Sequence, residues 1–345
     1  MSDDILKVTL MDIARKLNIT AATVSRALSD HPAIKESTKK IVRETAIKLK
    51  YQPNKIASSL RSGKSNIIGV IIPSAEINFF GSVVHGIEKV ANENNYNVLI
   101  YQSNELFEYE KRGVQTFLQS QVDGVLASIS KETINLDHYK EIKRRGVPLV
   151  LFDRAVDKLG VSSVVVDDYA GAFEATRHLV QEGCRRIAHI GGQQHVSIFN
   201  QRLKGYIDAL NVHNIPVDDD LIVYGKVSID SGRECMQKLL SGPKLPDGVF
   251  AVEDFTALGA MQSIKLAGKK IPDEIAIIGF ANEPFGEYIT PSLSTVNQQT
   301  VRMGEEAAQL FFEAFHNRNV LNIQPRKLVL EPELIYRESS IKHLK

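Results

Sequence analysis

The sequence has few cysteines, no tryptophan and no long apolar run. Its 345 residues contain two cysteines, Cys184 and Cys235, which stand in no metal-binding or redox spacing and suit a reducing cytoplasm. The lack of an apolar run of about 18 residues excludes a membrane span. The acidic start MSDDILKVTL lacks the apolar segment of a secretory signal. These absences predict a cytoplasmic protein with no membrane partner.

Motifs for catalysis, cofactors and metals are also missing. There is no GxSxG sequence and no nucleophile–base motif. Gly191 and Gly192 follow an apolar run but lack the spacing of a dinucleotide-binding or P-loop motif, which favours a simple turn. Several histidines lack the paired spacing of metal ligands: His85, His178, His189 and His195. We therefore expect no enzyme activity, no cofactor and no bound metal.

Two short helices joined by a tight turn are predicted at residues 8–28. Thr9 is a cap for the first helix, with Asp12 in the reciprocal capping position, and Thr20 is a cap for the second. Apolar residues at helical spacing give both helices a core-facing side: Ile13, Ala14, Leu17, Val24, Ala27 and Leu28. The pattern is typical of a helix-turn-helix, in which the second helix enters the DNA major groove.

A third amphipathic helix is predicted over residues 37–50. We expect its inward face to consist of Ile41, Val42, Thr45, Ala46 and Leu49. A plain three-helix module is the alternative, and charge argues against it. Residues 1–64 contain 13 Lys and Arg but 6 Asp and Glu, whereas the remainder contains 29 basic and 35 acidic residues. A basic head on an acidic body is what attraction to DNA phosphates requires.

Three segments carry a family resemblance. VTLMDIARKLNITAATVSRAL, then YQPN, then IASSLRSGKSNIIGVIIP resemble the lactose-repressor (LacI/GalR) family of bacterial transcription regulators. The resemblance covers essentially the whole chain. It implies an α/β fold: a three-helix helix-turn-helix head and a two-lobed body like the periplasmic binding proteins, built from doubly wound parallel sheets.

The resemblance assigns DNA contacts to the head. Ala21 and Ala22 carry only methyl groups, which touch thymine methyls or allow close approach but make no bidentate hydrogen bonds. Ser25 reads a base or contacts only a phosphate. The DNA-binding residues expected in the head are Thr9, Thr20, Ala21, Ala22, Thr23, Ser25 and Arg26.

A hinge helix is expected within residues 53–65, between the head (1–52) and the body. Asn54 is its cap, and it is too short to be stable alone. The resemblance implies that two such helices pair across a dimer, with Ala57 at their contact and Leu60 wedged into the minor groove. A plain linker is the alternative.

The body alternates strands with helices. Short runs such as NIIGVIIP, YNVLIY, DGVLASI and VPLVLFD are typical of buried parallel strands, and a second series starts with SSVVVD. We expect lobe 1 to contain residues 66–161 and 296–320, and lobe 2 to contain residues 162–295 and 321–345. RKLVL and ELIYR are strand-like runs in the second of these tail segments.

Ligands bind at the carboxyl ends of parallel strands, so residues that follow the strands are the candidates for a cleft. The resemblance adds roles: Phe79 and Phe80 stack on a ligand ring or pack in the core, and Asp153 accepts ligand hydroxyls or forms a salt bridge across the hinge. Glu253 and Ala281 depart from the residues usual in the family, so Asn282 replaces the usual aspartate or the ligand differs in chemistry. The expected effector residues are Phe79, Phe80, Asp153, Arg202, Glu253, Asp254 and Asn282.

The sequence therefore predicts a homodimeric, ligand-responsive transcription regulator. Its partners are a pseudo-palindromic operator in double-stranded DNA and a small, sugar-like effector between the lobes. The main alternative is a soluble solute-binding or sugar-sensing protein that does not act on DNA, which the body alone would fit.

Overall fold

The structure is a computed structural model that describes residues 8–52, 63–316 and 324–342. The chain forms two compact units, Met1–Ser65 and Asn66–Lys345. The expected hinge residues Asn54, Ala57 and Leu60 lie outside the described residues.

The head contains helices α1 (Leu10–Leu17), α2 (Ala21–Leu28) and α3 (Glu36–Lys48). A small apolar core joins the three helices: Ile13, Ala14, Val24, Ala27, Val42 and Ala46. The predicted inward position of Ile41 is wrong, because its side chain is 51% exposed. Val42 occupies the core-facing position, and the next buried residues, Thr45 and Ala46, follow at helical spacing.

The first lobe is built on a six-stranded parallel sheet. Its strands in spatial order are β11 (Lys327–Leu330), β5 (Ser162–Val166), β4 (Leu149–Phe152), β3 (Gly124–Ala127), β1 (Ile67–Ile72) and β2 (Asn97–Gln102). The helices of this lobe are α4 (Asn78–Glu93), α5 (Phe107–Gln119), α6 (Asp137–Arg144) and α12 (Thr300–His316). Helices α4 and α12 pack on each other, and α5 packs on α6. Apolar cores lie on both faces of the sheet, as a doubly wound fold requires.

The second lobe has a four-stranded parallel sheet. Its strands in spatial order are β7 (Ile222–Tyr224), β6 (Ile187–Gly191), β8 (Gly248–Ala251) and β9 (Ala276–Ile278). Its helices are α7 (Asp168–Gln181), α8 (Ser197–Val212), α9 (Ile229–Leu240), α10 (Asp254–Leu266) and the short α11 (Phe285–Tyr288). Strands β10 (Thr295–Asn297) and β12 (Glu333–Ile335) form an antiparallel pair beside it.

The structure corrects the expected boundary between the lobes. Strand β5 was assigned to lobe 2, but it pairs with β4 in the first sheet, and β11 of the tail joins the same sheet beside it. Among the described residues, the chain crosses between the lobes after β5, after β10 and between β11 and β12. The lobes are therefore linked by three nearby segments.

One strand of the first sheet is less buried than its sequence indicates. Strand β2 lies at the edge, and its Leu99 and Ile100 are 39% and 45% exposed. Among the described residues, no helix combines the length and apolar character needed to cross a membrane.

Candidate functional site

The start of each helix in the helix-turn-helix is held by the predicted threonine cap. The backbone N–H and the hydroxyl of Thr9 donate to the Asp12 carboxylate at 2.9 and 2.7 Å. The Thr20 hydroxyl accepts from the backbone N–H of Thr23 at 3.1 Å. Between the two helices, Asn18 adopts a left-handed conformation with φ of 51°. The capping bonds fix the first turn of each helix, and the left-handed Asn18 ends α1 before α2 begins.

One side of α2 remains open to solvent. Val24 and Ala27 are buried, whereas Thr20, Ala22 and Arg26 are exposed. Helix α2 contains no acidic residue. The sequence-predicted residues Thr9, Ala21, Thr23 and Ser25 are exposed or partly exposed. Short side chains and one arginine on a basic unit form a surface that can approach base edges closely.

The nearest acidic group beyond α2 is neutralised. Asp30 lies in the turn after α2, and its carboxylate pairs with Lys39 and Arg43, each at 2.9 Å. The hydrogen bond and charge of Lys39 lower the pKa of Asp30, so this carboxyl stays ionised and paired at neutral pH. The surface beside α2 thus retains its positive character.

A cavity of about 460 Å³ lies between the two lobes. That volume is typical of small-molecule sites. The sequence-predicted residues among its lining are Phe79, Phe80, Asp153, Arg202 and Glu253. Lining residues that sequence reasoning missed include Glu76, Lys131, Arg154, Phe199, Ser228, Asp230, Phe255, Glu283 and Gln298.

Arg202 is the best-anchored charged residue of the cavity. It is 2% exposed and stacks on the Phe280 ring at 3.6 Å from the centroid. Its Nε and Nη2 contact the Asp168 carboxylate at 2.8 and 2.7 Å, and its Nη1 donates to the carbonyl of Val252 at 2.7 Å. Burial raises the pKa of Asp168, although Arg202 opposes the rise. These bonds engage three of the five N–H groups of the guanidinium.

A second charged group lies on lobe 1. Glu105 accepts two contacts from Arg154 Nη1, at 2.7 and 3.0 Å, and lies 3.4 Å from Lys131 Nζ. Asp153 accepts from the Ser128 hydroxyl at 3.1 Å. The alternative expectation for Asp153 is a salt bridge across the hinge. The structure does not show it, because the nearest cation to Asp153 is Arg154 Nε of the same lobe, at 3.7 Å.

Glu253 lines the cavity from lobe 2. Its carboxylate caps α10 by accepting from the backbone N–H groups of Phe255 and Thr256 at 3.1 and 3.0 Å. Burial nevertheless raises the pKa of Glu253 to about 7. This carboxyl therefore sits near half-protonation at neutral pH and can either donate to or accept from a ligand.

Two hydrogen bonds join the lobes across the cavity. The backbone N–H of Phe79, in the first turn of α4, donates to Glu283 Oε1 at 3.1 Å. His195 Nε2 lies 2.7 Å from the carbonyl oxygen of Lys131. These contacts hold the lobes together in the arrangement described.

Two sequence-predicted effector residues lie outside the cavity lining. Asp254 is fully buried and accepts from the Thr295 hydroxyl and the Glu283 backbone N–H, both at 2.7 Å. The side-chain oxygen of Asn282 accepts from Arg337 at 3.0 Å. Their neighbours Ala281 and Glu283 face the cavity instead. Asp254 thus supports the loop after β9 instead of reaching a ligand.

Backbone strain marks three lining positions. Ala281 has φ of 128°, and Val227 and Asp153 each have φ of 58°, all in the region that side chains rarely adopt. Each such position costs about 1–3 kcal/mol and tends to occur at ligand sites. The polar residues and the strain therefore coincide at the same cavity.

The comparisons with known proteins agree with this arrangement. Residues 9–54 match the family model "Bacterial regulatory proteins, lacI family", and residues 176–340 match "Periplasmic binding protein-like domain". The chain is 34% identical over 306 residues to the probable transcriptional repressor ExuR of Bacillus subtilis, covering 88% of this chain and 90% of that protein. It is 33% identical to catabolite control protein A of Priestia megaterium, covering 91% and 95%.

A solved structure extends the match to both units. The complex of the transcriptional regulator CelR with cellobiose has a TM-score of 0.73 and 28% identity, and it covers 96% of this chain and 99% of that one. ExuR is named a probable HTH-type transcriptional repressor, in keeping with the capped helix-turn-helix of this chain. The chain belongs to the lacI family of bacterial regulatory proteins.

Proposed function

We propose that this protein is a cytoplasmic transcriptional repressor that binds a pseudo-palindromic operator as a homodimer and responds to a sugar-like effector in the interlobe cavity. The observation that carries the proposal is the combination of an exposed, acid-free α2 on a basic head with a polar cavity between two lobes. The first feature suits DNA and the second suits a small ligand.

The head supplies both parts of DNA recognition. Its excess of basic residues attracts phosphates, and the short side chains of Ala21 and Ala22 let α2 lie close to base edges. Arg26 is exposed near the end of α2 and can reach a guanine or a phosphate. Sequence readout then depends on Thr20, Thr23 and Arg26, together with the shape of the DNA.

The homodimer has two supports. Helix-turn-helix proteins bind two-fold symmetric sites as symmetric dimers. In addition, Leu99 and Ile100 expose apolar side chains on the edge strand β2. An exposed apolar edge is covered in most stable proteins, and a second copy of the chain is the proposed cover.

The cavity supports a carbohydrate effector. Its lining combines aromatic side chains, on which the C–H face of a sugar ring packs, with buried polar groups for hydroxyls. The related regulator CelR is described in complex with cellobiose. An effector that binds one arrangement of the lobes more tightly than another shifts the population toward that arrangement. The shift changes the fraction of dimers in which both heads can bind DNA.

Fluorescence anisotropy with promoter DNA tests the proposal. The full-length protein should bind with an affinity that falls steeply as salt rises, because the head displaces counterions. Arg26→Ala should weaken specific binding by about 1–3 kcal/mol. Lys140→Ala is the control: Lys140 is exposed on lobe 1 and pairs with Asp137, so its loss should leave DNA binding unchanged. No DNA binding even at low salt would favour a solute-binding protein instead.

A further inference from the structure

The cations of lobe 1 are incompletely neutralised where they meet the cavity. Glu105 is a single carboxylate shared by Arg154 and Lys131. The Lys131 ammonium is mostly buried, and its ion pair with Glu105, at 3.4 Å, is longer than a normal charged hydrogen bond. Burial accordingly lowers the pKa of Lys131. These three groups carry a net charge of +1. Asp153 is the other charged group beside them, 3.7 Å from Arg154 Nε, and burial raises its pKa, which disfavours its negative form.

One donor of the same cluster is buried without an acceptor. Within the described part of the chain, Arg154 Nε has no hydrogen-bond partner, and Arg154 is 8% exposed. The Asp153 carboxylate lies 3.7 Å from it, beyond hydrogen-bond distance. An unsatisfied buried charged donor is costly, so Arg154, which lines the cavity, would be stabilised by an acceptor that a ligand supplies.

Four of the five carboxylates that line the cavity are already engaged by the protein, and the fifth, Glu76, is exposed to solvent. Glu253 accepts from two backbone N–H groups, Glu283 accepts from the N–H of Phe79, and Asp153 accepts from Ser128. Asp230 is exposed and pairs with Arg233 at 2.8 Å. These acids therefore need no cationic ligand, whereas Lys131 and Arg154 still need an acceptor.

A hydroxyl acceptor lies on the same cavity. Gln298, at the crossing after β10, is 3% exposed, and its side-chain oxygen has no hydrogen-bond partner among the described residues. Phe80 lies under the Arg154 guanidinium at 5.8 Å and also lines the cavity. The cavity thus offers a cationic end, an aromatic surface and a free acceptor for a hydroxyl.

We propose that the effector is a sugar acid carrying one carboxylate, which binds Lys131 and Arg154, with a hydroxyl donating to Gln298. This inference rests on the proposed function, because it names the ligand class of that same cavity. The net charge of +1 on the Lys131, Arg154 and Glu105 cluster matches a monoanion. The second charge of a sugar phosphate would be left unmatched and would face Glu253 and Asp153.

Isothermal titration calorimetry on the full-length protein without DNA tests the ligand class. The ligands are matched sets of a neutral hexose, its uronic acid and its 6-phosphate in the glucose, galactose and mannose series, with gluconate added. At least one acid should bind at least tenfold more tightly than both the neutral sugar and the phosphate of its set.

Variants at Lys131 test the contact. Lys131→Met keeps a side chain of similar length and removes the charge. It should weaken binding of the acid about ten- to a hundredfold, the loss typical of a charged hydrogen bond. Lys131→Arg should keep binding within a few-fold. Lys140→Met is the matched control on the surface of lobe 1 and should change nothing. Thermal unfolding of each variant confirms that it folds.

Two results would overturn the inference: tighter binding of neutral sugars or phosphates than of every acid, or an unchanged acid affinity in Lys131→Met. Neither result contradicts the proposed function, because an operator-binding protein that responds to a neutral sugar is still a ligand-responsive repressor. Failure of DNA binding is seen in the separate anisotropy assay and counts against the proposed function alone.

Discussion

At the scale of single residues, Arg202 is a cavity residue that also supports the fold. The sequence suggested a ligand contact, and the structure places the guanidinium between the Asp168 carboxylate and the Phe280 ring. Both members of the ion pair are buried, at 3% and 7% side-chain exposure. Removing one partner of such a pair leaves the other charge buried and unpaired.

We therefore expect Arg202→Ala to destabilise the protein by about 3 kcal/mol or more, in addition to any effect on the ligand. Urea unfolding followed by circular dichroism measures the loss. Adding Asp168→Asn to Arg202→Ala should recover part of it, because the uncompensated carboxylate is then removed. A stability for Arg202→Ala within 0.5 kcal/mol of the native chain would contradict this account of the pair.

Glu253 gives the fold a pH dependence of definite sign. Its pKa is about 7 in the folded state against 4.5 ordinarily, because burial disfavours the charged form. Between these values the folded state binds more protons than the unfolded state, so this group lowers stability as pH rises through that window. Glu253→Gln, which cannot ionise, should therefore gain stability relative to the native chain between pH 5 and pH 8, by about 1 kcal/mol. If the free energy of unfolding changes with pH in the same way in both proteins, the raised pKa of Glu253 is contradicted.

Strand-end reasoning predicted part of the cavity but could not separate lining residues from supporting ones. Phe79, Asp153 and Glu253 follow strands and line the cavity, but Asp254 also follows a strand and points into the fold, where Thr295 binds it. Adjacent residues at a strand end point in different directions, and the sequence does not say which one faces the ligand. Lys131 follows the parallel strand β3, so the same rule applied to every parallel strand would have found it. Gln298 follows β10, which pairs antiparallel with β12, and the rule does not cover it.

At the scale of elements, helix pairs pack closely where glycines meet backbone. A Cβ on Gly304 of α12 would lie 2.0 Å from the carbonyl oxygen of Val83 in α4, and one on Gly86 of α4 would lie 2.1 Å from that of Val301. Helix backbones can approach this closely only when the crossing residues lack a side chain. This contact holds α4, which begins at the cavity, against α12, which follows the second crossing between the lobes.

Gly304→Ala should therefore destabilise the protein by about 1–3 kcal/mol, because the helices must separate to admit the methyl group. Gly81→Ala is the matched control: Gly81 is also in α4, and nothing lies within 4 Å of an added Cβ. Alanine should stabilise that position by about 0.5–1 kcal/mol. Thermal and urea unfolding of both variants measure the difference, and equal effects would show that the close crossing does not limit stability.

The order of helices and strands was largely predictable, but the membership of the sheets was not. The runs NIIGVIIP, DGVLASI and VPLVLFD contain β1, β3 and β4, and the helix predicted over residues 37–50 corresponds to α3. Periodicity reports which residues of a strand are buried and does not report its neighbour. For that reason the sequence pattern places β5, whose three consecutive valines suit a parallel strand of either lobe, in the wrong lobe.

At the scale of the whole molecule, the excess of basic residues and the ligand cavity lie in different units of the chain. The net charge is positive in residues 1–64 and negative in the remainder, whereas the cavity lies in the unit Asn66–Lys345. The lobes are connected by three short segments, and Gln298 of one segment lines the cavity. A ligand that contacts both lobes and a crossing segment makes different contacts in different lobe arrangements, which is the requirement for a population shift.

If the cavity controls the head, operator DNA and effector must change each other's affinity by the same factor. We expect that factor to be about 5- to 150-fold, the range of a typical coupling free energy of 1–3 kcal/mol. Anisotropy with and without saturating sugar acid gives the change in operator affinity, and calorimetry with and without operator gives the change in effector affinity. Lys131→Met alters the cavity and leaves the head intact, so the variant should still bind operator DNA in the absence of effector. In this variant the change in operator affinity should appear only at sugar-acid concentrations raised in proportion to the loss of acid affinity. A factor of one in both native titrations, with the effector demonstrably bound, would contradict the control of DNA binding by the cavity.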